Sequence, residues 1–195
     1  MRQFYLEAPN INRKEDAITY IKEFYKYKSI IQGTGGLQKF LDNYEGWLKQ
    51  LQENCTIVPN EKRVPSRTYF LIRSNDNKII GSINIRLTLN ENLKKFGGHI
   101  GYSIRPTERN KGYNKINLYL GLKICQEYNI KMVFIDAAKD NPASWKTIEA
   151  LNGVNIKEFF DNEHTHCIIK GYEIDVNKSL ANNSALYEPL IKKSI

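Results

Sequence analysis

Cysteine is scarce in this chain of 195 residues: the three present, Cys55, Cys125 and Cys167, are scattered. An odd, dispersed set builds neither a disulfide framework nor a metal knuckle, so the three read as reduced packing residues. Long apolar runs are missing too, which excludes the usual membrane-spanning helix of about eighteen or more such residues. The start Met1-Arg2-Gln3-Phe4-Tyr5-Leu6-Glu7 carries no apolar h-region, and a soluble, cytoplasmic protein with no membrane partner is expected. Internal repeats, low-complexity tracts and Pro/Gly-rich linkers are also lacking. With 41% hydrophobic residues over this length, one domain with a sizeable core is the natural arrangement.

What is abundant is positive charge, and it is local. Residues 1–60 hold 8 basic and 7 acidic groups, residues 61–130 hold 13 and 5, and residues 131–195 hold 8 and 9. The whole formal excess of +8 therefore sits in the middle. There Arg105, Arg109, Lys111 and Lys115 crowd together with only Glu108 to offset them, a field that attracts a small polyanion.

Apolar spacing predicts helices over 14–29, through Ile18, Ile21, Phe24 and Tyr25, and over 42–53, through Tyr44, Trp47, Leu48 and Leu51. The period then changes. Strands are expected over 68–72 and 78–87, paired as a hairpin across Ser74-Asn75-Asp76-Asn77. A loop over 88–97 leads into a third strand from Gly98 to Ile104. From Gly112 to Tyr128 a helix carries Ile116, Leu120 and Ile124 on one stripe, broadened by Leu118, Leu122 and Cys125. Residues 132–138 read as a central strand covered on both faces, with a parallel neighbour. Strand, helix and strand then form a right-handed crossover, its loop at the carboxyl end of the first strand, where open sheets bind ligands. A short helix after Asp140 and strands near 155–161 and 166–175 follow; residues from Asn177 onward are too polar to place.

The passage Gly101-Tyr102-Ser103-Ile104-Arg105-Pro106-Thr107-Glu108-Arg109-Asn110-Lys111-Gly112-Tyr113-Asn114 matters most. A strand stops at a proline, and a basic, glycine-bearing turn opens a helix whose first N–H groups lack intrahelical acceptors. With the positive end of the helix dipole behind them, such groups seat a pyrophosphate. The same residues resemble the GCN5-related N-acetyltransferase (GNAT) family, whose signature runs Arg or Gln, two residues, Gly, one residue, then Gly or Ala. Here it reads Arg109-Asn110-Lys111-Gly112-Tyr113-Asn114. Gly81, Gly98-His99-Ile100-Gly101-Tyr102, Asp140-Asn141-Pro142-Ala143-Ser144 and Gly171-Tyr172-Glu173-Ile174-Asp175 fall in the family's order. Residues 68–175 carry the resemblance. The N-terminal part, with Gly35-Gly36-Leu37, Trp47-Leu48 and Val64-Pro65-Ser66, is similar to a branch of predicted bacterial acetyltransferases.

The resemblance implies a mixed α/β (α+β) fold, with N-terminal helices on a central, mostly antiparallel sheet containing a splayed parallel strand pair. It implies a single domain over 1–176, with a helical acceptor-side part at 1–60 and a core at 68–175, followed by a tail at 177–195. The implied activity moves an acetyl group from acetyl-CoA to a primary amine by direct attack in a ternary complex. Main-chain cofactor contacts are expected from Ile104, and the pyrophosphate seat from Arg109, Asn110, Lys111, Gly112, Tyr113, Asn114 and Lys115. Asn141 would orient a cofactor amide and Ser144 would protonate the departing thiolate, although both residues equally suit a helix N-terminus. His99, on the strand bordering the cleft, is the candidate base by its near-neutral pKa, beside Tyr102, Glu173 and a water path.

Two residues depart from the pattern. Asn114 stands where the family prefers Gly or Ala, and its amide could donate to a phosphate oxygen; Ile148 stands where many relatives carry a tyrosine acid. They keep a non-catalytic acyl-CoA sensor open as the alternative. His164-Thr165-His166 does not match metal-ligand spacing, and no metal is expected. Gly33-Thr34-Gly35-Gly36 lacks the strand and the Lys-Ser/Thr pair of a phosphate loop and reads as a mobile loop near the acceptor. The run from Lys22 to Lys28 mixes lysines with aromatics, yet helical spacing turns Phe24 and Tyr25 inward, which disfavours nucleic acid. A small-molecule or peptide amine is the expected partner, and a homodimer stays open.

Overall fold

A computed structural model describes residues 3–163 and 165–192; His164 of the His-Thr-His run lies outside them. The chain runs β1 (Phe4–Glu7), α1 (Lys14–Lys26), α2 (Tyr44–Asn54), β2 (Ser66–Arg73), β3 (Lys78–Arg86), α3 (Glu91–Lys95) and β4 (Ile100–Ile104). It continues through α4 (Tyr113–Glu127), β5 (Met132–Ala138), α5 (Pro142–Ala150), β6 (Val154–Phe160), β7 (Ile168–Asp175) and α6 (Val176–Tyr187). Two antiparallel sheets result, ordered β1-β2-β3-β4 and β5-β7-β6.

Helices cover both faces. Ala17, Tyr20, Ile21 and Phe24 recur at helical spacing on α1 and pack with Tyr44 and Trp47 of α2 against Phe70, Ile72 and Ile79. The opposite face carries the larger core, where Ile116, Leu118, Tyr119, Leu120, Leu122 and Cys125 of α4 meet Ile83, Ile85 and Ile135. Asparagine starts several of these elements: Asn43 Oδ1 accepts from the Gly46 N–H at 3.0 Å ahead of α2, and Asn90 Oδ1 from the Leu93 N–H at 3.0 Å ahead of α3.

Several expectations need correcting. Residues 88–97 are not all loop, because Asn90 caps the short helix α3. The polar segment from Asn177 is helix α6, which buries Val176, Leu180 and Tyr187 and whose buried Ser179 hydroxyl donates to Leu151 O at 2.6 Å. β5 is not covered on both faces: Val133, Ile135 and Ala137 are buried while Met132 and Phe134 face outward. Its ladder partner is antiparallel β7. Tyr25 does not pack inward with Phe24 but lies on the surface.

β4 and β5 touch at one end only. Gly98, with φ +60°, forms an isolated bridge with Ile135, and the His99 N–H donates to Phe134 O at 2.7 Å. A side chain at Gly98 would run into the Phe134 carbonyl, so only glycine permits this approach. Beyond it no ladder joins the two strands among the described residues, and the sheets splay apart. No described helix is long and apolar enough to cross a membrane. The packing predicts that Leu122→Ala, at a fully buried site on α4, lowers the unfolding free energy by about 2–5 kcal/mol in urea melts. Leu186→Ala, on the exposed face of α6, stays within about 0.5 kcal/mol of wild type.

Candidate active site

The residues read from the sequence as an anion seat lie in the turn that opens α4. Pro106 opens a single 3-10 turn through Glu108; Asn110 and Gly112 then take left-handed conformations at φ +60° and +78°, and Gly112 becomes the N-cap. A Cβ on Gly112 would meet no protein atom within 4 Å, so the space before the cap is open. Among the described residues the N–H groups of Lys111, Gly112 and Asn114 find no acceptor, whereas the Lys115 N–H donates to Gly112 O at 3.1 Å. Tyr113 turns its ring into the core against Phe4, at 4.9 Å between centroids.

The basic residues divide into structural and available ones. Arg105 leaves the field: it is buried, with Nε donating to Ile79 O at 2.8 Å and Nη1 to Glu23 Oε2 at 3.0 Å. Glu108 is no lone offset but a hub, accepting from Arg73 Nη1, Lys78 Nζ and Lys111 Nζ, each at 2.9 Å. Burial alone would raise its pKa, yet these three cations outweigh burial and hold it at about 2. Arg109 is exposed, its Nε donating to Ile104 O at 3.2 Å and its Nη2 to Ser29 Oγ at 2.6 Å. Lys115 has no ion pair among the described residues.

Ile104 is buried on β4, its carbonyl already engaged by Arg109. Across the splay, Asn141 caps α5: Ser144 N–H donates to Asn141 O at 3.0 Å and to its Oδ1 at 3.3 Å. Ser144 Oγ lies 3.0 Å from the Tyr102 hydroxyl, so β4 and α5 meet through two side-chain oxygens. Ile148 is wholly buried, leaving no hydroxyl at that position. Tyr102 thus joins Ser144 and Asn141 of α5 to Asn114 at the start of α4.

His99 does not suit the part of base. It sits at the closed end of the splay, stacked on Phe134 at 5.9 Å, with its Nδ1 accepting the Phe134 N–H at 3.1 Å. Its proton is then on Nε2, which leaves no lone pair for an incoming amine. Burial, with Arg86 nearby, pushes its pKa down to about 4. The expected mobile loop is pinned instead: Ser103 Oγ donates to Gln32 O at 2.6 Å, and Thr34 Oγ1 to Gln38 Oε1 at 2.7 Å. Sequence reasoning missed Arg73, Lys78, Glu23 and Ser29 beside the seat, because sheet pairing and the packing of α1, not sequence spacing, bring them there. No group of three or more described His, Cys, Asp or Glu residues is gathered for a metal.

A profile described as "Acetyltransferase (GNAT) domain" matches residues 11–153. Among solved structures, Mycobacterium smegmatis RimJ in complex with CoA-disulfide superposes with a TM-score of 0.68 at 10% identity, covering 93% of this chain and 89% of that one. The ribosomal-protein-S5-alanine acetyltransferase from Vibrio fischeri gives 0.65 at 12%, covering 90% and 94%. The dodecameric spermidine N-acetyltransferase from Vibrio cholerae gives 0.61 at 15%, covering 92% and 98%. At these identities the likeness is one of fold. No curated protein matches the sequence.

The Glu108 hub makes a pH prediction. Because its folded pKa lies below the ordinary value of about 4.3, its stabilisation is present above that pH and is lost as pH falls towards about 2. Glu108→Gln is expected to unfold about 2 kcal/mol more easily at neutral pH, the gap to wild type closing on acidification. A gap that ignores pH would contradict the hub.

Proposed function

This chain belongs to the GNAT acetyltransferases, and from that premise we propose that it transfers an acetyl group from acetyl-CoA to a primary amine. The observation that carries the proposal is the open Gly112 cap, with acceptor-free amides at Lys111, Gly112 and Asn114 and with Arg109 and Lys115 beside it. That arrangement suits a diphosphate. One further feature fits the carrier: Asn114 Oδ1 is a buried acceptor without a partner, which an amide N–H of the pantetheine arm would satisfy.

Bound acetyl-CoA supplies the acyl group in activated form, as a thioester. The protein's part is to place it and manage charge. Arg109, Asn110, Lys111, Gly112, Tyr113, Asn114 and Lys115 hold the diphosphate end, with Ile104 bordering the arm and Asn141 directing its free amide N–H₂ towards it. Ser144 presents a hydroxyl to the departing sulfur. The amine must shed a proton; for a lysine-like amine of pKa about 10.4, that costs roughly 4–5 kcal/mol at neutral pH. With His99 committed to Phe134, water in the opening accepts that proton. Two structural neighbours are a spermidine N-acetyltransferase and a ribosomal-protein-S5-alanine acetyltransferase, both named for amine acceptors, and this chain's acceptor falls in the same chemical class.

Acetyl-CoA and CoA should raise the melting temperature by mass action while RNA does not, and thiol release over a panel of amines should identify turnover. Gly112→Ala separates seat from fold. Its methyl meets no protein atom, so stability should fall only by about 1 kcal/mol from the positive φ, whereas CoA affinity by calorimetry should fall about tenfold or more. Unchanged affinity would place the diphosphate elsewhere.

A further inference from the structure

Tyr102, so far only a secondary candidate for the base, lies between Ser144 of α5 and Asn114 at the start of α4. Its side chain leaves β4 on the α4 and α5 side and packs at the edge of the larger core. Its hydroxyl reaches Ser144 Oγ at 3.0 Å and Ser144 O at 3.3 Å, and the Asn114 side chain also lies against it. Burial pushes the phenol up to about 12, with Ser144 and Asn114 pulling the other way, so at neutral pH it carries its proton.

The bookkeeping of two protons is informative. If the phenol donates to Ser144 O, the serine hydroxyl is left to donate to the phenol oxygen, and both protons are consumed inside the pair. If the phenol donates to Ser144 Oγ, the serine's own proton is released, and no other protein acceptor for it exists among the described residues. Only rotation about two C–O bonds separates the two arrangements; no charge moves. Acid strength then decides what the released proton can do. That proton belongs to an aliphatic hydroxyl backed by a phenol near 12, and both are weaker acids than a thiol, so full transfer to the thiolate would run uphill. A short hydrogen bond to the sulfur costs no such transfer and stabilises its negative charge.

Resting on the acetyl-CoA site argued above, we propose that Tyr102 is a positioning residue that turns the Ser144 hydroxyl outward as a hydrogen-bond donor to the thiolate of the carrier. It supplies from β4 the support that α5 cannot give, where Ile148 fills the position with an apolar side chain.

The test uses CoA itself and needs no acceptor. Thiol ionisation of bound CoA is followed by ultraviolet thiolate absorbance against pH, as the difference between protein loaded with CoA and with desulfo-CoA, which cancels the protein's own cysteines. Tyr102→Phe and Ser144→Ala should each raise the thiol pKa by about half to one unit, and the double variant no more than Ser144→Ala alone. CoA affinity below the ionisation should stay within about twofold of wild type. A Tyr102→Phe titration matching wild type overturns the inference, as does a double variant with the sum of both shifts. Wild type that fails to bind CoA overturns the site and the inference together; binding with no shift in either variant removes the inference alone. Should Tyr102→Phe fail to fold, Ser144→Thr against Ser144→Ala keeps the question open to decision: threonine should retain the wild-type thiol pKa, and equal values for the two would contradict the donor role.

Discussion

Everything at the site follows from the single point where β4 and β5 meet. A sheet normally satisfies its backbone by continuing its ladder, and here the ladder stops after Gly98 and His99. The close approach at Gly98 fixes the two strands at one end, and the separate partners β3 and β7 draw them apart at the other. The opening that results has main-chain edges on both sides. The first turns of α4 and α5 also come together there, through Asn114, Tyr102 and Ser144. An acyl carrier that is a chain of amides ending in a diphosphate suits such a slot better than a compact ligand would.

Charge is distributed with a corresponding economy. The cations that surround the seat are largely committed to carboxylates: Arg105 to Glu23, and Arg73, Lys78 and Lys111 to Glu108. These pairs fasten α1 and the β2–β3 hairpin to the turn before α4. Arg109 and Lys115 stand outside those pairs, and Arg109 also reaches Ser29 of the segment after α1. The turn before α4 and the segment after α1 are therefore in direct contact through one guanidinium.

The helices α1, α2 and α4, the β2–β3 hairpin and the turn 109–114 were legible in the sequence because each depends on local spacing. α6 was not: its buried face is built from Val176, Ser179, Leu180 and Tyr187 among asparagines and one lysine, and Ser179 is satisfied by Leu151, far away in sequence. β1 escaped notice because four residues show no period, and β2 recruits it through long-range pairing. At the site, the glycine cap and the Asn141–Ser144 turn were legible for the same local reason. The commitment of Arg105 to Glu23, of His99 to Phe134 and of Tyr102 to Ser144 was invisible, since each partner comes from another element.

The central claim is that the opening beside Gly98 receives an acyl carrier with its diphosphate at the Gly112 cap. The most direct measurement is a crystal structure of the protein grown with CoA. The account predicts diphosphate oxygens within hydrogen-bond reach of the Gly112 and Asn114 amides, with the arm lying between β4 and β5. CoA lodged on another face, or a cap closed over by protein atoms, would contradict it.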